Sequence, residues 1–180
     1  LAGIPGTIGG ALAMNAGCDG GETWEYVEKV ETLDRKGQHH IRFPDEYQVN
    51  YRSVIPAKAE EWFVAGYFRL KKGTKDHALE RIRHLLDRRA ATQPTNEPSC
   101  GSVFRNPPGD YAARLIEECG LKGFAIGGAV VSDKHANFIL NEGRATALDI
   151  ERLISHIKQT VLEKCGVELI QEVHLIGSSV

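Results

Sequence analysis

The chain has 180 residues, of which 42% are hydrophobic and 26% charged, a composition typical of a folded globular protein and not of a disordered or fibrous one. Its 22 basic and 24 acidic residues give a net charge of −2 without any basic block, which argues against a nucleic-acid partner. No apolar run approaches the roughly 18 residues that a membrane-spanning helix needs, so no membrane association is expected.

The four cysteines, Cys18, Cys100, Cys119 and Cys165, follow neither metal-ligand spacing nor the density of a disulfide-stapled domain. They predict reduced thiols in a cytoplasmic protein that has no metal site. The chain begins with Leu1, directly inside a glycine-rich apolar stretch, where natural chains seldom start. We therefore expect an N-terminally truncated piece of a longer protein, with any targeting signal upstream.

The first 21 residues are rich in glycine and nearly uncharged, and they predict a loop, a short helix and a second loop. Glycine lets the backbone approach a ligand that a β-carbon would block, and such loops can present N–H groups to a phosphate or a flat ring. Tight packing of a helix start under a sheet explains the same glycines equally well. The stretch is not a phosphate-binding P-loop, because Gly10 is followed by Ala11 and not by Lys.

Periodic patterns predict the elements that follow. Extended segments are predicted over 26–34, 38–43 and 62–71, the first two joined by a turn at Lys36-Gly37. Residues 45–55 show no regular pattern, and apolar residues at helical spacing predict a helix over 74–90. The proline-punctuated stretch 92–99 predicts a connector, so we place a domain boundary there.

Beyond the connector, the pattern predicts a second unit that also mixes helices and strands. Short strands are predicted over 102–105, 125–131, 137–141 and 167–176. A helix over 110–119 has Asp110 as its candidate N-cap, and a longer helix over 147–164 begins at a capping box formed by Thr146 and Asp149. The predicted fold class is therefore α+β, with helices packed on sheets.

The stretch 100–107 reads Cys-Gly-Ser-Val-Phe-Arg-Asn-Pro and contains the candidate reactive residue, Ser102. If 102–105 is extended, Ser102 and Phe104 share one face of the strand. Ser102 does not lie in a Gly-x-Ser-x-Gly elbow, so hydrolase chemistry has little support. Taken alone, Ser102 fits a turn serine that bonds its own backbone better than a reactive residue.

Six stretches in chain order carry a family resemblance. They are the glycine loop 3–11 with Asn15-Ala16-Gly17, then Tyr51-Arg52-Ser53, 100–107, 126–129, 134–138 and 172–177. Together they resemble UDP-N-acetylenolpyruvoylglucosamine reductase over essentially the whole chain. The sequence has no tyrosine-bearing insertion between residues 53 and 92, and in this respect it resembles that family's shorter subclass.

This resemblance implies part of a vanillyl-alcohol-oxidase-like FAD-binding domain together with a small α+β substrate-binding domain. It assigns residues 1–92 to the second FAD-binding region and 93–166 to the substrate-binding domain. It makes 167–180 a C-terminal strand that returns to the active site. The family's first FAD region is absent from the sequence, so the chain alone is expected to lack part of the FAD site and to be inactive.

The activity implied by the resemblance is the reduction of UDP-N-acetylglucosamine enolpyruvate to UDP-N-acetylmuramate for peptidoglycan. NADPH reduces FAD, the flavin passes a hydride to the enolpyruvyl group, and Ser102 supplies the proton. Arg52 and Glu172 contact the carboxylate beside the reacting carbon, where a guanidinium can make two hydrogen bonds. No protein partner is implied.

The resemblance also assigns binding positions. Its cofactor-binding residues are Gly3, Pro5, Gly6, Thr7, Ile8, Gly9, Gly10, Asn15, Ala16 and Gly17. Its substrate-binding residues are Tyr51, Arg52, Gly101, Asn106, Lys122 and Asn137. Two alternatives stay open: another flavin oxidase or dehydrogenase of the same superfamily, and a non-catalytic fragment that binds a nucleotide sugar.

Overall fold

The computed structural model describes residues 3–56 and 60–177, and the chain divides into two compact units, 1–87 and 88–180. Both units contain helices and antiparallel strands, which confirms the α+β class. Within the described residues, no helix combines the length and the apolar character that crossing a membrane requires.

The first unit is built around a three-stranded antiparallel sheet. Its regular elements are α1 (Ile8–Ala13), β1 (Gly17–Cys18), β2 (Gly21–Glu22), β3 (Val27–Asp34), β4 (His39–Arg42), β5 (Tyr47–Asn50), β6 (Ser53–Pro56) and β7 (Glu61–Phe68). The sheet has the order β4-β3-β7, with separate β1–β2 and β5–β6 hairpins. Leu12 and Trp24 form the small core with Val27 and Val30, and the Trp24 indole N–H donates to the Leu12 carbonyl oxygen at 2.7 Å.

The β3–β4 hairpin around Lys36-Gly37 is confirmed, but the expectation that 45–55 is irregular is wrong. Those residues form the β5–β6 hairpin, in which Val49 pairs with Val54 and the turn residues are Tyr51 and Arg52. Arg52 has a φ of 52°, a conformation more common for glycine or asparagine. Neither turn residue is glycine or proline, so the sequence gives no signal by which this turn could be recognised.

Helix α2 (Lys75–Thr92) matches the predicted helix, and the division between the two units falls inside it. The second unit contains β8 (Ser99–Ser102), α3 (Ala112–Glu118), β9 (Ala125–Ile126), β10 (Ala129–Val131), β11 (Phe138–Asn141) and α4 (Ala147–Cys165). Its four strands form an antiparallel sheet in the order β8-β11-β10-β9. Its core joins the buried faces of α3 and α4 to the sheet through residues such as Ile116, Val131 and Ile157.

Helix α4 begins as the sequence predicts. The Thr146 hydroxyl accepts the Asp149 backbone N–H at 3.1 Å, and the Asp149 carboxylate accepts the Thr146 backbone N–H at 2.9 Å. Those bonds lower the pKa of Asp149. Gly166, in the left-handed conformation at φ 68°, ends the helix.

Three local predictions in this unit are wrong. The strand predicted over 102–105 ends at Ser102, and Val103 and Phe104 are both buried instead of alternating. Helix α3 has Tyr111 and not Asp110 at its N-cap, and the Asn106 side chain accepts the N–H of the first helical residue, Ala112, at 3.1 Å. The strand predicted over 167–176 is reduced, within the described residues, to one antiparallel bridge between Phe104 and Gln171.

Candidate active site

The glycine loop of the first unit is exposed and ends in α1. The Thr7 hydroxyl caps the helix by accepting the Gly10 N–H at 3.1 Å, while Pro5, Gly6 and Ile8 face outward. A β-carbon at Gly10 would lie 3.5 Å from the Thr7 hydroxyl. That is an ordinary contact, so the packing of the unit itself does not require this glycine.

Gly17 differs, because the protein itself fills the space beside it. A β-carbon there would lie 2.6 Å from the Gly21 carbonyl oxygen and 3.2 Å from Arg52 Nη1. Gly17 is therefore needed for the close approach of β1 to β2 and of Arg52 to both.

Asn15 is buried and joins three segments of the first unit. Its amide oxygen accepts the Trp24 backbone N–H at 3.1 Å. Its amide nitrogen donates to the Glu22 carboxylate at 2.7 Å and to the Asn50 carbonyl oxygen at 3.2 Å. The side chain thereby ties the end of the glycine loop to the strand that leads into the β5–β6 turn.

Arg52 reaches back from that turn to the same loop. Its Nη2 donates to the Gly17 carbonyl oxygen at 2.9 Å, and its Nη1 donates to the Asn15 carbonyl oxygen at 3.3 Å. The guanidinium also lies 3.8 Å from the Glu22 carboxylate and 4.6 Å from the centre of the Tyr51 ring. The structure thus brings together Asn15, Gly17 and Arg52, which are predicted site residues from distant parts of the chain.

In the second unit, Ser102 lies at the bulged end of β8. Ser102 pairs with Phe138, but the next pair of the ladder is Ser99 with Leu140, so β8 has one residue more than β11. Gly101 accommodates the extra residue at a φ of 83°. Bulges of this kind redirect a side chain and are frequent beside active sites.

The chain after Ser102 is held on both sides. Asn137 clamps Phe104, accepting its N–H at 2.9 Å and donating to its carbonyl oxygen at 2.8 Å. On the other side, the Glu172 backbone N–H donates to the Val103 carbonyl oxygen at 2.8 Å. The backbone segments carrying Ser102, Asn137 and Glu172 are therefore adjacent within one unit.

The remaining predicted residues of this unit make contacts within it. Asn106 caps α3 through the Ala112 N–H, as described above. Lys122 Nζ donates to the Glu117 carboxylate at 2.8 Å. A shallow cavity of about 280 Å³, lined in part by Asn96 and Lys134, includes none of the site residues predicted for this chain.

Three residues to which the sequence assigned no catalytic or binding role are connected to these positions by the structure. Glu22 bonds Asn15 and lies beside Arg52, although no motif includes it. His135 accepts the Asn137 backbone N–H at 3.3 Å through Nδ1, and burial lowers the pKa of His135, which favours the neutral ring that can accept this bond. Arg105, inside the Ser102 motif, has a buried Nε atom for which the described residues offer no hydrogen-bond partner.

Comparisons with known proteins show which family the chain resembles. Residues 93–176 match the family described as "UDP-N-acetylenolpyruvoylglucosamine reductase, C-terminal domain". The chain is 58% identical over 179 residues to a UDP-N-acetylenolpyruvoylglucosamine reductase of Legionella pneumophila (strain Corby), a match that covers 99% of the chain and 58% of that protein. A reductase of the same name from Thiobacillus denitrificans is also 58% identical, with 98% of the chain and 55% of that protein covered.

A solved structure gives the same relationship. The crystal structure of UDP-N-acetylenolpyruvylglucosamine reductase from Thermus caldophilus is 36% identical, with a TM-score of 0.78 over 93% of this chain and 60% of that one. The chain thus spans a little under three fifths of the length of the curated relatives named above. It is a homologue of the UDP-N-acetylenolpyruvoylglucosamine reductases, and its residues 93–176 belong to the C-terminal domain family of these enzymes.

Proposed function

We propose that the chain contributes a flavin-facing loop and a substrate-binding domain to an oxidoreductase of peptidoglycan synthesis. The reaction is the NADPH-dependent, FAD-mediated reduction of UDP-N-acetylglucosamine enolpyruvate to UDP-N-acetylmuramate, in the cytoplasm. The observation that carries the proposal is Ser102, which stands on a bulge and is followed by Val103, whose carbonyl oxygen accepts the Glu172 N–H, in a homologue of these reductases.

The glycine loop supports the cofactor assignment. Thr7, Gly9 and Gly10 start an exposed helix turn, and a β-carbon on either glycine would make only ordinary contacts with the rest of its unit. A loop whose glycines are not required by the protein's own packing fits a flat ring that must approach the backbone closely. When bound there, FAD reduced by NADPH supplies the hydride of the reaction.

Ser102 is proposed as the proton donor. Hydride addition at the terminal carbon of the enolpyruvyl group leaves negative charge on the carbon beside the carboxylate, and that carbon must then take a proton. The Ser102 hydroxyl gives its proton to this carbon, and the bulge with Gly101 sets the backbone position from which the side chain projects. A positioned general acid contributes about 10²- to 10⁴-fold in rate.

Arg52 is proposed to stabilise the intermediate by engaging its carboxylate. Its guanidinium is oriented by the carbonyl oxygens of Asn15 and Gly17, so its position follows that of the glycine loop. Glu172 is proposed to contact the same carboxylate. In this scheme, residues 1–92 form the second FAD-binding region, 93–166 bind the nucleotide sugar, and 167–180 carry Glu172.

The test separates the two half-reactions in the full natural protein. Anaerobic addition of NADPH should bleach the flavin band of both the wild type and Ser102→Ala. Subsequent addition of the enolpyruvyl substrate should restore the band in the wild type and fail to do so in Ser102→Ala. Ser99→Ala, in the exposed part of the same strand, is the matched control and should behave as the wild type. Full reoxidation of Ser102→Ala at the wild-type rate would remove Ser102 from the mechanism.

A further inference from the structure

Two cysteine thiols away from the candidate site lie against each other in the second unit. Cys119 follows the last residue of α3, and Cys165 is the last residue of α4, 46 positions further along the chain. Their Sγ atoms are 3.6 Å apart, which is a contact distance between two reduced thiols. We propose that Cys119 and Cys165 are a redox pair that a low-molecular-weight disulfide or a peroxide converts into an intramolecular disulfide joining α3 to α4.

The two backbones that carry the thiols are already held together. Lys164 Nζ donates to the Cys119 carbonyl oxygen at 3.0 Å and so links the C-terminal ends of the two helices. A disulfide requires an S–S distance of about 2.0 Å, so the thiols must approach by roughly 1.5 Å. Rotation about the two Cα–Cβ bonds can provide a movement of that size, while both helices keep their places in the core.

The thiols differ in access, which sets the order of the reaction. Cys119 is buried, whereas Cys165 is half-buried. Burial and the neighbouring thiol raise the pKa of Cys119 to about 11, so Cys119 is protonated at neutral pH. Cys165 is therefore the thiol that meets the oxidant first, and Cys119 resolves the adduct.

The chemistry balances for both classes of oxidant. With a disulfide such as oxidised glutathione, the Cys165 thiolate attacks one sulfur and releases one thiolate. Cys119 then loses its proton and displaces the second thiolate. With hydrogen peroxide, Cys165 becomes a sulfenic acid as one oxygen leaves as water, and attack by Cys119 releases the second oxygen as water. In either case, the protein loses two electrons and two protons.

To test the proposal, the protein is incubated with oxidised glutathione or with hydrogen peroxide. The remaining thiols are then alkylated, and the peptides are mapped by mass spectrometry. We expect a cross-linked peptide that joins Cys119 to Cys165 and disappears on reduction. We also expect the thermal midpoint of the oxidised protein to rise by about 5 °C or more, because the bond closes a long loop. Cys100, which is exposed, reports in the same digest that the oxidant reached the protein.

The matched variants are Cys119→Ala and Cys165→Ala. The first should stop at a glutathione adduct on Cys165, and the second should leave Cys119 unmodified. The wild-type peptide map decides the proposal even if a variant does not fold. Wild-type protein whose Cys100 is oxidised while Cys119 is still alkylated quantitatively after unfolding would overturn it, as would a stable adduct or sulfinic acid on Cys165 without the cross-link.

Discussion

Replacing Gly10 by alanine tests whether this glycine is needed for ligand binding or for the packing of the protein itself. Gly10 lies inside α1, and its N–H donates to the Thr7 hydroxyl, a bond that alanine keeps. Alanine is favoured over glycine in a helix interior by about 0.5–1 kcal/mol. The new β-carbon would meet the Thr7 hydroxyl at 3.5 Å, which adds no steric cost. We therefore expect Gly10→Ala to unfold at an unchanged or slightly higher denaturant concentration than the wild type.

The same β-carbon projects from an exposed stretch of backbone that is proposed to face the flavin. If the ring lies against this stretch, Gly10→Ala should weaken flavin binding at least tenfold, which corresponds to about 1.4 kcal/mol. Flavin titration followed by fluorescence, in the full natural protein, measures this loss. Denaturant unfolding of the same sample measures stability.

Gly17→Ala is the matched control in the same motif. Its β-carbon would lie 2.6 Å from the Gly21 carbonyl oxygen, so we expect this variant to lose about 1–3 kcal/mol of stability. The reasoning is refuted if Gly10→Ala binds flavin as the wild type does, or if it is destabilised as much as Gly17→Ala. The first result would show that the exposed glycines do not face the cofactor, and the second that they serve packing after all.

Two further predictions concern the interior of the units. Asn137→Ala leaves the N–H and carbonyl groups of buried Phe104 without their clamp, so urea unfolding should show a loss of about 1–3 kcal/mol, whereas an unchanged midpoint would contradict the clamp. Hydrogen bonding to Arg42 lowers the pKa of Glu61 to about 2, below its unfolded value of 4.5. The stability that Glu61 contributes is therefore complete above pH 4.5 and lost as the pH falls toward 2, and Glu61→Gln should flatten this part of the stability–pH curve.

Local sequence signals predicted the elements whose causes are themselves local. Helix α4 follows from a capping box and a glycine stop within one stretch of chain, and the β3–β4 hairpin follows from Lys36-Gly37. Where a distant residue decides the conformation, the prediction failed. The strand after Ser102 ends because Asn137, 33 residues away, takes both backbone groups of Phe104, and no propensity for 102–105 contains that information.

In the candidate site, too, contacts between distant residues could not be predicted from local sequence signals. The resemblance assigned Arg52, Asn15 and Gly17 as separate positions. The structure shows that they are in contact, because the Arg52 guanidinium donates to the carbonyl oxygens of Asn15 and Gly17. Glu22 was not predicted because it belongs to no motif, although its carboxylate contacts both Asn15 and Arg52. Its role depends on three chain segments meeting, which spacing along the sequence does not encode.

The structure also adds contacts to what the resemblance implies at three positions, Asn137, Gly10 and Gly17. Asn137 was expected to bind substrate, yet both its amide atoms bond Phe104, next to the strand end that carries Ser102. The observed bonds of this amide therefore fix the position of the backbone that follows Ser102. Gly10 and Gly17 belong to one motif and were assigned one function, but a β-carbon at Gly10 would meet the Thr7 hydroxyl at an ordinary contact distance, whereas one at Gly17 would collide with the Gly21 carbonyl oxygen. A motif therefore identifies residues that relatives share, while the contacts of each residue show which of them the protein's own packing requires.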